Sequence, residues 1–238
     1  IKKIKKKNDL ISFTGPHSKY ISKYNNSIKK VLVFLRKNNI ITDYYSIKIY
    51  KNIPVFAGFG GGTSNAAAIL KFLIKKNISQ NLLNKITKII GSDLGLFFHN
   101  QGYLKNLKSI SKLKKNYKIN FLIVYPNIKS STKGVFSRVK KFSKKKLFYK
   151  NNLKSKSEFI EYLLKSKNDL QDIVTKNYPF IKKLLKIINE TKGCYFSRMT
   201  GSGSACYGLF TSMNSSKVAL KKLRKKYPKF WFSIAKTI

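Results

Sequence analysis

The first part of the chain alternates between the hydrophobic spacing of helices and that of strands. Hydrophobic residues at positions 28, 31, 32 and 35 lie three or four apart behind a capping residue, Asn26 or Ser27, which predicts an amphipathic helix. Residues 45–51 alternate with a period of two instead, which predicts a strand that leads into Pro54. The same patterns predict a strand at 10–14 and helices at 66–74 and 79–90, the last stopped by Gly91.

The second part of the chain opens with a continuous apolar run, residues 119–125, which predicts a buried strand. Further patterns predict helices at 157–167, 168–176, 179–191 and 215–226, and strands at 205–210 and 230–235. The lysine-rich stretch at 105–118 indicates a change of domain, and the one at 137–157 indicates a solvated excursion from the fold. Because strands and helices mix without a regular alternation, we predict an α+β fold with two domains, residues 1–115 and 116–238.

Composition and charge bear on the possible partners. No apolar run in the 238 residues reaches the length of a membrane helix, so no membrane partner is expected. The formal net charge of +43 rests mainly on lysine, with arginine only at positions 36, 138, 198 and 224. The joint excess of Lys, Asn, Ile, Phe and Tyr is typical of an A/T-rich coding sequence, whereas a surface that reads phosphates uses more arginine. We therefore expect weak binding of nucleic acid at low salt but no specific nucleic acid partner. A basic nucleic-acid-binding protein is the alternative.

Cysteine and histidine form no metal-binding or redox motif. The two cysteines, Cys194 and Cys206, lack C-x-x-C spacing and indicate reduced thiols in a cytoplasmic protein. His17 and His99 have no partner at ligand spacing, which favours surface or structural roles for both.

The strongest motif is the glycine-rich segment of residues 54–68, PVFAGFGGGTSNAAA. It follows a strand and precedes an alanine-rich helix, which is the order of a phosphate-binding loop. The Walker A pattern fails because no lysine follows Gly62, and the G-x-G-x-x-G pattern fails because Thr63 stands at its third glycine. A glycine-rich surface turn is the alternative. The candidate nucleotide-binding residues are Pro54, Ala57, Gly58, Gly60, Gly61, Gly62, Thr63 and Ser64.

Asp93 is the candidate for acid–base chemistry. It is one of only eight acidic residues, and it lies between Gly91-Ser92 and an apolar Leu-Gly-Leu-Phe-Phe run. A carboxylate within hydrogen-bond reach of a hydroxyl accepts its proton as that hydroxyl attacks a γ-phosphate. The alternative is an aspartate that caps a turn or the next helix.

Four stretches, in the right order and spanning most of the chain, resemble the GHMP kinases. The glycine-rich segment 54–68 is similar to the nucleotide loop of that family. The other three are IGSDLGLFF at 90–98, NDLQ at 168–171 and RMTGSGSAC at 198–206, and they resemble the family's aspartate stretch, its Asn-Asp-Leu-Glu stretch and its C-terminal glycine loop. The resemblance is closest to the members that act on 4-diphosphocytidyl-2-C-methyl-D-erythritol in the non-mevalonate isoprenoid pathway.

The resemblance implies a fold, a reaction and a set of roles. The implied fold has an N-terminal domain like ribosomal S5 and a ferredoxin-like C-terminal domain. ATP and Mg²⁺ are the implied cofactors, with Asp93 as the catalytic base and Ser64 as a metal contact. Gly201, Ser202 and Gly203 are the implied substrate-binding residues. The implied reaction is phosphorylation of the 2-hydroxyl of that small-molecule substrate, by a monomer or a homodimer. A GHMP kinase acting on mevalonate or homoserine is the alternative within the family.

The chain departs from the family pattern at two places. Gly95 stands where the family has proline, which predicts a looser turn. The family's first segment, Pro-Ala-Lys-Ile-Asn-Leu, carries a lysine that works beside the aspartate, and nothing like it occurs here. Because residue 1 is Ile and the first strand already lies inside the family pattern, we expect an N-terminal truncation and impaired catalysis. A degraded or repurposed kinase is the alternative.

Overall fold

The computed structural model describes residues 1–74, 78–106, 109–143 and 153–238. These residues form two compact units. Unit 1 comprises Ile1–Val55 and Gly60–Lys112, and unit 2 comprises Phe56–Phe59 and Leu113–Ile238. The division at residue 115 that the sequence suggests stays a prediction.

Unit 1 contains a three-stranded sheet, three helices and a separate pair of strands. Its elements are β1 (Lys2–Ile4), β2 (Leu10–Thr14), α1 (Ser27–Lys37), β3 (Tyr44–Tyr50), α2 (Gly61–Leu73), α3 (Gln80–Ile90), β4 (Gly102–Asn106) and β5 (Ser109–Lys112), with 3₁₀ turns at Ser18–Tyr20 and Ser92–Phe98. In the sheet, β3 is central, antiparallel to β1 and parallel to β2. The strands β4 and β5 pair with each other in antiparallel fashion.

The core of unit 1 forms between its helices and the central strand. The four hydrophobic positions that predict α1 are all buried, and they pack with Ile47 of β3 and Leu70 of α2. Asn26 caps α1, because its side chain accepts a hydrogen bond from the backbone N–H of Lys29. Ser79 caps α3 in the same way, and Gly91 ends it. The predictions for α1 and α3 are therefore confirmed to within a residue.

Unit 2 contains a four-stranded antiparallel sheet with helices before its second strand and before its last. Its elements are β6 (Asn120–Tyr125), α4 (Thr132–Phe136), α5 (Lys156–Lys165), α6 (Gln171–Asn177), α7 (Pro179–Asn189), β7 (Cys194–Met199), β8 (Cys206–Phe210), α8 (Met213–Lys226) and β9 (Trp231–Lys236). The strand order is β7-β8-β6-β9, and all neighbours are antiparallel. This succession of strand, helices, two strands, helix and strand is ferredoxin-like. Together with unit 1, it confirms the α+β prediction.

Both faces of the unit 2 sheet are covered. Because neighbouring residues of a strand point to opposite faces, Leu122 and Val124 of β6 face one side and Phe121 faces the other. The first side packs against α6, α7 and α8 in the larger cluster of buried residues. The second side packs with Phe159 and Ile160 of α5. Helices therefore cover the sheet on both sides.

Some parts of the fold differ from the sequence-based expectation. The strands β1, β4, β5 and β7 and the helix α4 are not predicted. The strands β4 and β5 occupy part of the stretch at 105–118 that the sequence indicates as a change of domain. Their sequences, GYLKN and SISK for β4 and β5, are short and contain no clear alternation. Residues 144–152 of the predicted lysine-rich excursion lie outside the described residues.

Candidate active site

The helix α2 begins inside the glycine-rich segment, at Gly61, and not at residue 66 as predicted. Thr63 and Ser64 therefore lie in its first turn, where the backbone N–H of Ser64 donates to the carbonyl oxygen of Gly60. No side chain caps this helix. Glycine has a low helix propensity, so the sequence does not predict that the helix begins here. The first turn of a helix makes few intrahelical hydrogen bonds and can therefore contain glycine.

The N-terminus of α2 presents unused hydrogen-bond donors. Among the described residues, no hydrogen bond uses the backbone N–H groups of Gly61, Gly62 and Thr63. Gly60 precedes them with φ of +64°, a left-handed conformation that favours glycine. A methyl group on Gly60 would lie 3.3 Å from the ring of Phe97, which is closer than an ordinary contact, so space also favours glycine at this position. Free N–H groups and the positive end of the helix dipole together bind anions.

Two other segments of unit 1 border the first turn of α2. Ser27 at the start of α1 donates a hydrogen bond of 2.6 Å from its hydroxyl to the carbonyl oxygen of Gly62. A methyl group on Gly91 would lie 3.9 Å from the hydroxyl oxygen of Thr63. Asp93 follows Gly91 by two residues, in the 3₁₀ turn, and its carboxylate is exposed apart from a long 3.4 Å contact with the hydroxyl of Ser92. The structure thus brings the stretch that carries Asp93 to the helix that carries Thr63.

Gly95 is explained by packing. It is buried, and a methyl group on it would lie 2.5 Å from Cδ1 of Ile110 in β5. A proline at this position, as in the family pattern, would meet the same side chain. Glycine at position 95 therefore leaves the space that the side chain of Ile110 occupies.

Lys51 is a residue that the motif analysis misses. It follows β3 directly, is only 6% exposed, and has its Nζ 3.6 Å from where a methyl group on Gly61 would lie. Burial lowers the pKa of its ammonium group, and Lys51 in turn helps burial to lower the pKa of His17. The signal was available in the sequence, because Lys51 continues the inward-facing phase of a strand on which Ile47 is buried.

Residues 56–59 belong to unit 2, where the loop between β7 and β8 holds them. The carbonyl oxygen of Ala57 accepts hydrogen bonds from the backbone N–H of Ala205 at 3.2 Å and from the hydroxyl of Thr200 at 2.9 Å. Gly58 has φ of +78°, and a methyl group on it would lie 2.4 Å from the carbonyl oxygen of Thr200. Glycine is therefore required at position 58 for both conformation and space.

The NDLQ stretch holds the loop between β7 and β8 in place. The side-chain amide of Asn168 donates to the carbonyl oxygens of Met199 at 3.0 Å and Gly201 at 2.8 Å. Gln171 accepts a hydrogen bond from the backbone N–H of Met199. These contacts give a physical role to a stretch that the sequence identifies only by resemblance.

The predicted substrate residues differ from one another in exposure. Gly201 is exposed, whereas Ser202 is buried and its hydroxyl lies 2.8 Å from that of Thr132. Ser130 also donates to the carbonyl oxygen of Ser202. Gly203 has φ of +79°, and a methyl group on it would meet Sδ of Met199 at 2.6 Å. No hydrogen bond among the described residues uses the backbone N–H groups of Gly201 and Ser202, which leaves them as donors for a ligand.

Family models match both halves of the chain. The model described as "GHMP kinases N terminal domain" matches residues 26–99, and "GHMP kinases C terminal" matches residues 145–229. The chain belongs to the GHMP kinase family. It is therefore a small-molecule kinase, and ATP dependence is a property of that family.

Three curated relatives of this GHMP kinase carry the same name. A protein from Pelagibacter ubique (strain HTCC1062), named 4-diphosphocytidyl-2-C-methyl-D-erythritol kinase, is 36% identical over 233 residues, which cover 96% of this chain and 82% of that protein. Proteins of the same name from Wolbachia pipientis wMel and Anaplasma marginale (strain Florida) are 31% and 30% identical, and each match covers 94% of this chain and 78% of the relative.

Two solved structures of kinases share the fold. A crystal structure of 4-(cytidine 5'-diphospho)-2C-methyl-D-erythritol kinase matches with a TM-score of 0.67 at 20% identity, covering 97% of this chain and 83% of that one. Homoserine kinase from Cytophaga hutchinsonii matches with a TM-score of 0.73 at 13% identity, covering 99% and 84%. Among the described residues, no helix of this kinase has the length and apolar character needed to cross a bilayer.

Proposed function

We propose that this kinase transfers the γ-phosphate of ATP to the 2-hydroxyl of 4-diphosphocytidyl-2-C-methyl-D-erythritol, in the non-mevalonate route to isoprenoid precursors. The observation that carries the choice of substrate is the 36% identity, over 96% of the chain, to the Pelagibacter ubique protein of that name. Homoserine kinase has the higher structural similarity, but at 13% identity that likeness reports the fold and not the acceptor.

The phosphates of ATP bind at the N-terminus of α2 in this proposal. The free N–H groups of Gly61, Gly62 and Thr63 support it, because they are the donors that an anion needs at a helix start. The absence of side chains at 60–62 lets the phosphate oxygens approach the backbone. The other proposed nucleotide-binding residues of this segment are Pro54, Ala57, Gly58, Gly60 and Ser64.

Asp93 is the general base of the proposed reaction. Its carboxylate is exposed and makes only one long contact among the described residues, so it is available to accept a proton from the acceptor hydroxyl. Its position two residues after Gly91, which lies beside Thr63, keeps it near the first turn of α2. The hydroxyl oxygen then bonds to the γ-phosphorus as the bond to the β–γ bridging oxygen breaks, and ADP leaves.

The acceptor binds at the loop of residues 201–203 in this proposal. The free N–H groups of Gly201 and Ser202 support this role, since a diphosphate-containing substrate requires donors. Asn168 and Thr132 hold the loop from behind. The buried side chain of Ser202 serves its conformation, and contact with the substrate falls to the backbone.

Mg²⁺ is the metal that we propose to accompany ATP. The described residues contain no cluster of three or more His, Cys, Asp or Glu side chains. This fits Mg²⁺, which is commonly held by substrate phosphates and water with one or two protein groups, and Ser64 in the first turn of α2 is the proposed protein contact. The ion would neutralise charge on the phosphates.

We also propose that the protein works in the cytoplasm, as a monomer or a homodimer. Both cysteines are free, which supports reduced thiols.

The test is ADP release from ATP and Mg²⁺ with 4-diphosphocytidyl-2-C-methyl-D-erythritol as acceptor. Wild-type protein is compared with Asp93→Asn and with Asp172→Asn, which removes an exposed carboxylate on α6 and serves as the matched control. We expect Asp93→Asn to lower kcat by about 10²- to 10⁴-fold, the usual contribution of a general base, with little change in the affinity for ATP. Asp172→Asn should retain full activity.

Other results would redirect the proposal. Equal turnover by wild type and Asp93→Asn would keep the reaction and remove Asp93 as its base. Turnover of homoserine or mevalonate in place of the cytidine-linked acceptor would agree with membership of the family but contradict the proposed substrate. Cytidine nucleotides should inhibit only if the proposed acceptor is correct.

A further inference from the structure

The side chain of Lys51 is largely buried in unit 1, and its ammonium group has no partner among the residues described there. The residue is 6% exposed, and among the described residues its Nζ makes no hydrogen bond or ion pair. All eight acidic residues of the protein lie in the described ranges, so no carboxylate elsewhere in the chain could serve. A lysine whose side chain is largely buried without a compensating charge loses hydration, and this cost suggests that an anion compensates it in the working protein.

The surrounding backbone fixes the position of Lys51. Its N–H donates to the carbonyl oxygen of Thr14 at 2.7 Å, and its carbonyl oxygen accepts from the N–H of His17 at 3.2 Å. Gly15, with φ of +93°, lets the turn close over Lys51, since a methyl group there would lie 3.0 Å from the Lys51 backbone. The side chain therefore starts from a defined point at the end of β3.

From that point the side chain reaches the start of α2. The Nζ atom lies 3.6 Å from where a methyl group on Gly61 would be. Gly61 is the first residue of α2, so the ammonium group lies beside the helix N-terminus that carries the free N–H groups. A positive charge and a set of unused N–H donors thus converge on one place in unit 1.

We propose that Lys51 binds an oxygen of the polyphosphate chain of the nucleotide at the N-terminus of α2. The inference rests on the proposed function, and it explains why the glycine-rich segment works without the lysine of a Walker A loop: the cation comes from the end of β3. An ammonium group is a point charge that suits a phosphate oxygen, and the bound phosphate is the counter-ion that Lys51 lacks in the free protein.

The test is equilibrium binding of ATP and of inorganic tripolyphosphate, measured by titration calorimetry. Wild type is compared with Lys51→Met, which keeps the length of the side chain but removes its charge. Lys48→Met is the matched control, since it removes one exposed lysine of β3 and changes the net charge equally. We expect Lys51→Met to weaken both ligands by about 10- to 100-fold, as for a lost charge-assisted hydrogen bond, and Lys48→Met to change neither by more than about 2-fold.

A second readout separates binding from structural support. Without nucleotide, Lys51→Met should be at least as stable as wild type toward urea, because it removes an uncompensated charge from a largely buried side chain. Lower stability of Lys51→Met with unchanged affinity for ATP would overturn the proposal. If Lys51→Met does not fold, Lys51→Gln replaces it, with the same loss of affinity expected.

The outcomes for Lys51 and for the kinase reaction are independent. Lys51-dependent binding of tripolyphosphate, without turnover of the cytidine-linked acceptor, would support the lysine site and reject the proposed reaction. Turnover of that acceptor, with an affinity for ATP that does not depend on Lys51, would support the proposed reaction and reject the lysine site. Failure of the wild type to bind either ligand would overturn the lysine site.

Discussion

Replacing Gly58 with alanine should destabilise unit 2, and the contacts of that residue give the magnitude. Its φ of +78° costs a residue with a side chain about 1–2 kcal/mol. The added methyl group would lie 2.4 Å from the carbonyl oxygen of Thr200, and forcing a methyl group into packed surroundings costs about 1–3 kcal/mol more. We therefore expect Gly58→Ala to lower the free energy of unfolding by about 2–5 kcal/mol, a large part of the total stability of a typical domain.

The assay is urea denaturation followed by tryptophan fluorescence. Trp231 is the only tryptophan and lies in β9 of unit 2, with its ring centroid 5.8 Å from that of Phe59, so its emission reports on this unit. Gly61→Ala is the matched control in the same glycine-rich segment. Its methyl group would lie at an ordinary contact distance, 3.6 Å from Nζ of Lys51, and alanine is favoured over glycine in a helix by about 0.5–1 kcal/mol.

The two variants should therefore change stability in different ways. Gly58→Ala should shift the fluorescence transition to lower urea, and Gly61→Ala should leave that transition unchanged. A loss for Gly58→Ala below about 0.5 kcal/mol, the range of ordinary surface substitutions, would refute the close contact between Gly58 and Thr200.

Two further predictions concern the loop of residues 201–203 and the histidines. Asn168→Ala removes both hydrogen bonds to the loop carbonyls and should cost about 1–3 kcal/mol in urea denaturation; an unchanged midpoint would contradict this. Burial, with nearby lysines, lowers the pKa of His17 and His99 below the usual value near 6.5. The unfolded chain then binds more protons, so the stability that these residues contribute is complete above about pH 6.5 and falls as the pH drops through the lowered values. Urea midpoints between about pH 7.5 and about pH 5.5 should show this fall, and a His17→Gln/His99→Gln variant should show a smaller one.

The sequence predicts best the elements whose signals are local. The helix α1 has its cap and all four of its buried positions in one short stretch, and α3 has Ser79 at one end and Gly91 at the other. The start of α2 is five residues earlier than predicted, because Gly61 and Gly62 carry no side chain to reveal a helix and no cap precedes them. The strands β4 and β5 are too short for alternation to show.

The candidate site shows a similar limit. Motifs predict the residues of the glycine-rich segment and Asp93, but they cannot predict that Asn168 and Gln171 support the loop after β7, because those contacts join residues about thirty positions apart. Lys51 belongs to no motif. Its phase with Ile47 along β3 is the sign that the sequence offers, and the structure then shows that the residue is buried.

The inclusion of Phe56–Phe59 in unit 2 has a consequence for the order in which the chain folds. Thr200, which donates a hydrogen bond to Ala57, lies 143 residues further along the chain. During synthesis all of unit 1 is complete long before the strand β8 exists, and contacts between residues so distant in sequence form late. The middle of the glycine-rich segment therefore reaches its final conformation only when the C-terminal strands assemble. Recovery of nucleotide binding during refolding would then follow the completion of the last part of the chain, although most of the residues predicted to hold the nucleotide lie in the first.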